Sequence, residues 1–264
     1  RKPTAYRRAT PKKPAASNAS AQGLRNKNTA GPNQPAEQVE GEVIGLTIWR
    51  LRPTKTTDDK DSRLLLVDES SQETEWTLER VEADTVFAEG DRVRLSIESP
   101  RDGYLYVIDR EIYSDGATSD PYLIFPTLRT QNGANAVSAG KLIELPDGRT
   151  SFKFGGALAN PKYAGEQLTI LVTPEPLKNV QPGKSYVKLD PAMVAQWESQ
   201  WAGATERFEM IGGAGKTYTK AEKEAGLEGS RSLTQADAMP QTIYHVDVKT
   251  GAPLLVKLPL RLAK

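Results

Sequence analysis

The chain has 264 residues, no cysteine, one histidine and a formal net charge of +1. A chain of this length can bury a core without covalent cross-links, so stability does not require disulfides. The missing cysteines exclude a disulfide framework, a zinc–thiolate site and a cysteine nucleophile, and one histidine excludes a histidine-rich metal site. No apolar run reaches the roughly 18 to 20 residues that span a bilayer, so we predict no transmembrane segment.

Residues 1–38 form a basic arm that we predict to be disordered. The arm carries eight lysine and arginine residues against the single acid Glu37, so its net charge of +7 leaves −6 for the rest of the chain. Leu24 is its one large aliphatic residue, which is too little apolar surface to offset the entropy of ordering. Such an arm suggests contact with a polyanion, although a solubilising linker is the simpler and preferred explanation. Nucleic acid is disfavoured because the arm lacks interleaved aromatic residues for base stacking.

From Val39 onward, short apolar runs alternate with turn residues, and most runs have the two-residue period of strands. The run 92–98 is the clearest, because valine, leucine and isoleucine alternate there with charged and polar residues. A turn at 100–103 joins it to an apolar run at 104–108, and this pair predicts a hairpin. Further strands are predicted at 42–52, 63–68, 76–81, 152–154, 168–172 and 206–210.

The end of the chain predicts a second hairpin. Apolar residues alternate across 254–262, and the turn Lys249-Thr250-Gly251 joins this run to an apolar run at 243–248. Pro259 cannot donate a ladder hydrogen bond, so the last strand should lie at a sheet edge or carry a bulge.

Two helices are predicted between the later strands. Asp190 is a good N-cap before Pro191, and Gly203 ends the first helix. Thr219 and Glu222 form a capping box for a second, shorter helix that should stop at Gly226. We therefore predict a mainly β protein, with residues 39–264 forming a single immunoglobulin-like or jelly-roll-like β-sandwich and a helical insertion at about 190–226.

Three segments carry a family resemblance: GDRVRLSIESPRDGYLYVIDRE at 90–111, YLIFPT at 122–127 and AGEQLTILVTPEPL at 164–177. Their order resembles the bacterial family labelled domain of unknown function 4384, over about residues 85–178. Members of that family occur alone in exported proteins or beside caspase-like, kinase-like and repeat modules. The resemblance thus implies an accessory or interaction role and carries over no catalytic residue. Together with a first residue that is not methionine, it predicts a periplasmic or extracellular protein.

The stretch FEMIGGAGKTYT at 208–219 imitates a phosphate-binding loop. The motif GxxxxGK[ST] needs a glycine at position 210, where this chain has Met210, and too few residues follow for the parallel strands of such a fold. We therefore interpret the stretch as a mobile loop. Gly212, Gly213 and Lys216 in it are candidates for contact with a partner.

Two other enzyme signatures are incomplete. Ser138 and Lys141 match SxxK and Lys249 begins a KTG triplet, but the Ser-Asp-Asn mark of penicillin-binding enzymes is absent and residues 137–145 have a loop and strand pattern. No GxSxG elbow exists for His245, which we predict to be a solvent-facing structural residue. We predict no cofactor.

Asp115 and Asp120, with Ser119 between them, are weak candidates for calcium ligands. They lack the alternating spacing that makes several oxygens converge on one ion, and turn capping explains them as well.

Tyr104, Tyr106 and Tyr113 could form a binding surface, although packing in a core is favoured for the first two. The predicted function is a non-catalytic binding or scaffolding module that engages a protein or an anionic envelope polymer. One alternative is a hydrolase in which Asp109, Glu111 and Asp115 meet in a cleft, and a pocket with two carboxyl groups of raised pKa would favour it. Another is a regulatory partner of a protease or kinase.

Overall fold

The computed structural model describes residues 5–9, 39–67, 73–155, 160–235 and 237–263. The strands in these ranges are β1 Tyr6–Arg8, β2 Val39–Pro53, β3 Arg63–Val67, β4 Glu73–Val81, β5 Val86–Phe87, β6 Arg92–Glu98, β7 Gly103–Tyr113, β8 Tyr122–Phe125, β9 Ala136–Val137, β10 Lys141–Leu145, β11 Phe152–Lys153, β12 Tyr163–Thr173, β13 Val187–Lys188, β14 Thr205–Met210, β15 Ser230–Ser232, β16 Thr242–Lys249 and β17 Leu254–Leu262. The helices are α1 Pro191–Trp201 and α2 Lys220–Glu228.

The described strands form two sheets. Sheet 1 has ten strands with the central order β1-β14-β16-β2-β6-β10-β15, and β4, β3 and β11 pair beside this path. Sheet 2 has seven strands in the order β13-β8-β7-β12-β17-β5, with β9 beside β7. Neighbouring strands are antiparallel except for β17 and β5, which are parallel. The predicted mainly β class is confirmed, and the two packed sheets are those of a β-sandwich.

The main core lies between the two sheets, because the central strands alternate apolar and polar side chains. Ile44, Leu46 and Ile48 of β2 point inward with alternate residues of β6, and they meet the inward residues of sheet 2. The inward residues of β7 and β12 include Leu105, Val107, Leu168, Ile170 and Val172. Burial of this apolar area is the dominant favourable contribution to the fold.

The outer face of each sheet carries a smaller cluster. On sheet 2, Tyr106, Leu171 and Leu255 pack with Val194 of α1. On sheet 1, Trp49 packs edge-on against Tyr218, with 4.2 Å between the ring centroids. Sheet 2 is therefore covered on both faces, as the apolar residues on both faces of the predicted strand at 104–108 had indicated.

The two predicted hairpins are wrong. The turn at 100–103 leads from β6 in sheet 1 to β7 in sheet 2, and Lys249-Thr250-Gly251 leads from β16 in sheet 1 to β17 in sheet 2. Turn residues reverse the chain equally well within a sheet and between sheets, so their pattern does not reveal which strands pair. β6 instead pairs with β2, β10 and β11, whereas β7 pairs with β8, β9 and β12.

Arg101 holds the two crossings together. Its guanidinium donates to Glu42 Oε1 of β2 at 2.8 Å, to the carbonyl oxygen of Val172 at 3.1 Å and to that of Ala252 at 2.6 Å. The three acceptors belong to sheet 1, to sheet 2 and to the second crossing. One partly buried side chain thus joins both sheets at this end of the sandwich.

Both predicted helices form with their predicted caps. The Asp190 side chain accepts from the backbone N–H of Ala192 at 2.9 Å. The Thr219 hydroxyl accepts from the N–H of Glu222 at 3.3 Å, and the carboxylate of Glu222 accepts in return from the N–H of Thr219 at 2.8 Å. α2 continues to Glu228 rather than stopping at Gly226, because Gly229, with φ of 80°, provides the left-handed residue that ends it.

The structure adds a strand inside the predicted arm. Tyr6–Arg8 pair antiparallel with β14 at the edge of sheet 1, and the rest of the arm lies outside the described residues. The last strand, β17, lies between β12 and the two-residue β5 rather than at the sheet edge that Pro259 had suggested. β5 pairs only with Arg261 and Leu262, so Pro259 pairs with β12 alone among the described strands. Among the described residues no helix could cross a membrane.

Replacing Arg101 by methionine should destabilise the fold by about 2–4 kcal/mol, because the partly buried Glu42 and two carbonyl oxygens lose their donor. Urea unfolding followed by tryptophan fluorescence measures this loss. The control is Lys162→Met, which breaks the exposed ion pair with Asp115 and should cost less than about 1 kcal/mol. Equal losses in the two variants would contradict the role given to Arg101.

Candidate functional site

A pocket of about 520 Å³ opens between the two sheets at one side of the sandwich. Ile124 and Phe125 of β8 line its apolar floor from one sheet, and Leu145 of β10 and Phe152 of β11 line that floor from the other. Tyr186, which precedes β13, lines the mouth and is 55% exposed. The volume falls within the range of pockets that take small molecules or a few residues of a peptide, roughly 300 to 1,000 Å³.

The turn that closes the pocket is held by backbone contacts. Arg94, a buried residue of β6, donates to the carbonyl oxygens of Gly148 at 2.8 Å and Thr150 at 3.1 Å. The carboxylate of Asp147 accepts from the N–H of Gln131 at 3.2 Å, which ties this turn to the loop after β8. The turn is therefore held by Arg94, which does not line the pocket, and by Asp147, which does.

The mouth of the pocket is positively charged. Arg129, Arg149 and Lys184 line it, and Asp147 is its one lining acid. Arg149 has only a long contact with Glu73, 3.5 Å between Nη1 and Oε1, with both side chains exposed. Arg129 and Lys184 form no ion pair within the part of the chain that the structure describes. An apolar floor with cations at the rim fits a ligand that joins an apolar group to a negative charge.

A second concavity, the acidic cleft of about 680 Å³, begins on the other side of Tyr186. Asp109, Glu111 and Tyr113 line it from β7, and Tyr122 and Asp120 line it from β8 and the turn before β8. In the β7–β12 register Asp109 lies opposite Leu168 and Glu111 lies opposite Glu166. Opposed residues share a face, so the carboxylates of these strands continue the inward face beyond the apolar core.

Burial changes the protonation of two of these acids. The pKa of Asp109 is raised to about 8, first by desolvation and then by the negative charges of Glu166 and Glu111. The pKa of Glu166 is raised to about 7, again mainly by desolvation, although the hydroxyl of Tyr163 donates to Glu166 Oε1 at 2.9 Å. Oδ1 of Asp109 is buried and accepts no hydrogen bond from any residue that the structure describes.

Of the three acids that the hydrolase hypothesis placed in one cleft, two lie in it. Asp109 and Glu111 lie together as the hypothesis required, and Glu166 joins them from β12. Asp115 is elsewhere, in an exposed turn where Oδ2 accepts from Nζ of Lys162 at 3.0 Å.

The calcium candidates make turn contacts. Oδ1 of Asp115 accepts from the N–H of Ala117 at 3.1 Å, and the Ser119 hydroxyl donates to the backbone carbonyl of Asp120 at 2.9 Å. The carboxylate of Asp120 forms an ion pair with Lys188. In the described residues no group of three or more acidic or histidine side chains is placed to hold a metal ion.

The three tyrosines do not form one surface. Tyr106 is buried in the outer cluster of sheet 2, where its hydroxyl accepts from the N–H of Leu177 at 2.9 Å, and Tyr104 packs beside that cluster. Tyr113 faces the acidic cleft and donates to Glu111 Oε2 at 2.8 Å. The preference for core packing at Tyr104 and Tyr106 is confirmed.

The glycine-rich stretch lies against β4 rather than standing free. The N–H of Gly215 donates to the carbonyl oxygen of Arg80 at 2.8 Å, and the N–H of Arg80 donates to that of Lys216 at 2.9 Å. Gly213 is buried, and a Cβ there would lie 2.1 Å from Oε1 of Gln241. Gly213 is therefore a packing requirement, whereas Gly212 and the Lys216 side chain remain exposed.

The enzyme signatures that the sequence imitates are structural here. Ser138 lies in the turn before β10 and Lys141 begins that strand, so SxxK opens no helix. His245 and Asp247 are exposed on one face of β16, as predicted.

Comparison with known families supports the resemblance. Residues 86–176 match the family model described as "Domain of unknown function (DUF4384)". The matched segment contains the acids of the cleft and most of the pocket, while Lys184 and Tyr186 lie just beyond it. No curated protein and no solved structure matches the chain.

The sequence reasoning missed most of the pocket. Arg129, Arg149 and Lys184 come from three separate loops, and nothing in their spacing places them together. Glu166 is different, because strand alternation from Leu168 already puts it on the inward face. An acid at an inward position beside the predicted core was a signal that could have found it.

The raised pKa of Asp109 predicts that the stability of the fold depends on pH. Between about pH 4 and pH 8 the folded protein keeps a proton that the unfolded chain has lost, so this group lowers stability progressively as pH rises through that window. Asp109→Asn cannot ionise, and it should therefore raise Tm over the wild type by several degrees at pH 8 and by little at pH 4.5. Thermal unfolding followed by circular dichroism checks this.

The matched control is Asp115→Asn. Lys162 lowers the pKa of Asp115 through a side-chain hydrogen bond, so its removal should bring no gain at pH 8. A Tm difference for Asp109→Asn that stays constant between the two pH values would contradict the buried, protonated state of Asp109.

Proposed function

We propose that this chain is a non-catalytic binding module of an exported bacterial protein, and that the pocket between the sheets binds an acidic, partly apolar segment of a protein partner. The observation that carries the proposal is the combination of an apolar floor with three cations at the mouth. The export part rests on the family resemblance alone, and cell fractionation tests it.

The electrostatics favour an anion over a neutral ligand. Arg129 and Lys184 are exposed, so a ligand carboxylate can reach them without breaking an ion pair within the described structure. Charge-assisted hydrogen bonds to a carboxylate are about twice as strong as neutral ones.

The floor favours a protein segment over a polymer of sugars and phosphates. Phe152 is only partly buried and, with the exposed ring of Tyr186, offers apolar surface that an aliphatic or aromatic side chain can cover. A strongly hydrated polymer would use the rim but leave this floor uncovered.

Binding of 8-anilinonaphthalene-1-sulfonate, an anionic aromatic probe, tests the pocket by fluorescence titration. We expect saturable binding that weakens at least tenfold in the double variant Arg129→Ala/Lys184→Ala, because two charge-assisted contacts are lost. A short acidic peptide that contains one phenylalanine should compete for the pocket and displace the probe.

The matched controls are Lys153→Ala and Lys178→Ala, which remove exposed cations that do not line the pocket. They should change the dissociation constant less than twofold. Equal weakening by the controls would show diffuse charge attraction instead of a site. Displacement by a glycerol phosphate polymer but not by the peptide would replace the protein partner by an envelope polymer.

A hydrolase acting in the acidic cleft is the second candidate, and the raised pKa values of Asp109 and Glu166 favour it. A protonated acid beside an ionised one is what glycoside hydrolysis uses. Glu166, however, does not line the cleft. Release of nitrophenol from a panel of nitrophenyl glycosides, lost in Asp109→Asn, would support this candidate. No release by the intact chain would count against it.

A further inference from the structure

The N-terminal strand β1 lies at the outer edge of sheet 1, where it pairs with β14, a strand far from it in the sequence. Tyr6 pairs with Met210, Arg7 with Glu209 and Arg8 with Phe208. The ladder extends on both sides, since the N–H of Ile211 donates to the carbonyl oxygen of Ala5 at 2.8 Å and the N–H of Ala9 donates to that of Arg207 at 2.8 Å. Without β1, β14 would present an unpaired edge, and such edges accept added strands.

Side chains give this edge a chemical preference. Arg7 forms an ion pair with Glu82, and Arg8 forms one with Glu206. The Tyr6 hydroxyl donates to the carbonyl oxygen of Pro240 at 2.9 Å. An aromatic residue followed by two basic residues is therefore the pattern that matches the edge.

The contacts of β1 are weak individually. Both arginines are more than half exposed, 59% and 64%, and exposed ion pairs contribute little to stability. Three residues also form a short ladder, and only the partly buried Tyr6 ring adds apolar contact. Tethering must therefore contribute much of the strength that holds this segment in place.

The tether is long enough for that. From the strand order, Ala9 and Val39 are separated by three strand spacings of about 4.8 Å and by about five residues along the strands, roughly 20 Å in all. The 29 residues of 10–38 could extend to about 95 Å. A tether with length to spare gives an effective concentration up to about the millimolar range.

We infer that the β14 edge is a strand-acceptor site that the chain closes with its own residues 5–9, and that its external ligand is an extended protein segment with an aromatic residue followed by two basic residues. The ligand adds antiparallel to β14 and replaces β1. Because the internal segment competes, the intact chain binds such a partner only when the partner is present at high local concentration or pairs more strongly.

The test uses the full-length chain and a fluorescein-labelled peptide of residues 1–12. Bonds at Ala5 and Ala9 place Arg7 at a hydrogen-bonded position of the ladder, so Arg7→Pro should release β1. We expect the peptide to bind the Arg7→Pro chain at least tenfold more tightly than the wild type, measured by fluorescence anisotropy. Tyr6→Ala keeps the backbone hydrogen bonds but removes the ring, so it should also weaken β1 and increase the affinity of the chain for the peptide.

Three controls separate strand pairing from general attraction. Arg25→Pro places the same substitution elsewhere in the arm and should leave affinity at the wild-type level. A peptide with both arginines replaced by glutamate should lose binding, and Glu206→Lys in the Arg7→Pro chain should restore binding of a peptide carrying only Arg8→Glu.

The proposal is overturned if the wild type, Arg7→Pro and Arg25→Pro bind the peptide equally, or if the charge-reversed peptide binds as well as the original. The remaining possible occupant of the β14 edge is strand β1 of a second copy, and sedimentation of the intact chain tests it by measuring the oligomeric state. A dimer that Arg7→Pro abolishes would overturn closure within one chain in favour of strand exchange between two copies.

Discussion

The guanidinium of Arg101 joins both sheets at one end of the sandwich, in addition to the apolar core between them. The chain crosses between the sheets twice at this end, and Arg101 bonds to Glu42, to the end of β12 and to the second crossing. Both the pocket and the acidic cleft lie away from this closed end. Asp109 and Glu111 are in the later part of β7, which starts at the crossing, and Phe152 pairs with Val93 at the start of β6, the strand that ends there.

At the open end, the inward faces of β7 and β12 change from apolar to acidic without any change of strand. The carboxylates there lose part of their hydration, and like charges face each other. Protonation of a carboxylate removes both the desolvation penalty and the repulsion. Hydroxyl groups donate to two of these carboxylates, Tyr113 to Glu111 and Tyr163 to Glu166. Asp109 has no such donor for Oδ1 among the described residues, and its pKa is raised mainly by desolvation and then by the negative charges of Glu166 and Glu111.

Local pattern predicted the strands and helices well because period two, capping boxes and turn residues act within a few positions. The pairing of those strands was not local: the turns at 100–103 and at Lys249 have hairpin chemistry, yet each joins two sheets. The pocket cations come from three loops with no shared period, so no sequence window contains the site. Glu166 could have been found, since an acid at an inward position of a core strand is a local anomaly.

Strand β1 shows the limit of composition as a guide. The arm has too little apolar surface to fold alone, and that reasoning holds for residues 5–9 in isolation. They form a strand because β14 supplies a template and because the acids Glu82 and Glu206 complement Arg7 and Arg8. At these two positions, the positive charges of the basic arm thus pair with negative charges of the acidic body within the same molecule. A polyanion that took the same two arginines would have to displace Glu82 and Glu206, so binding of the arm to an external anion and closure of the β14 edge compete for one segment.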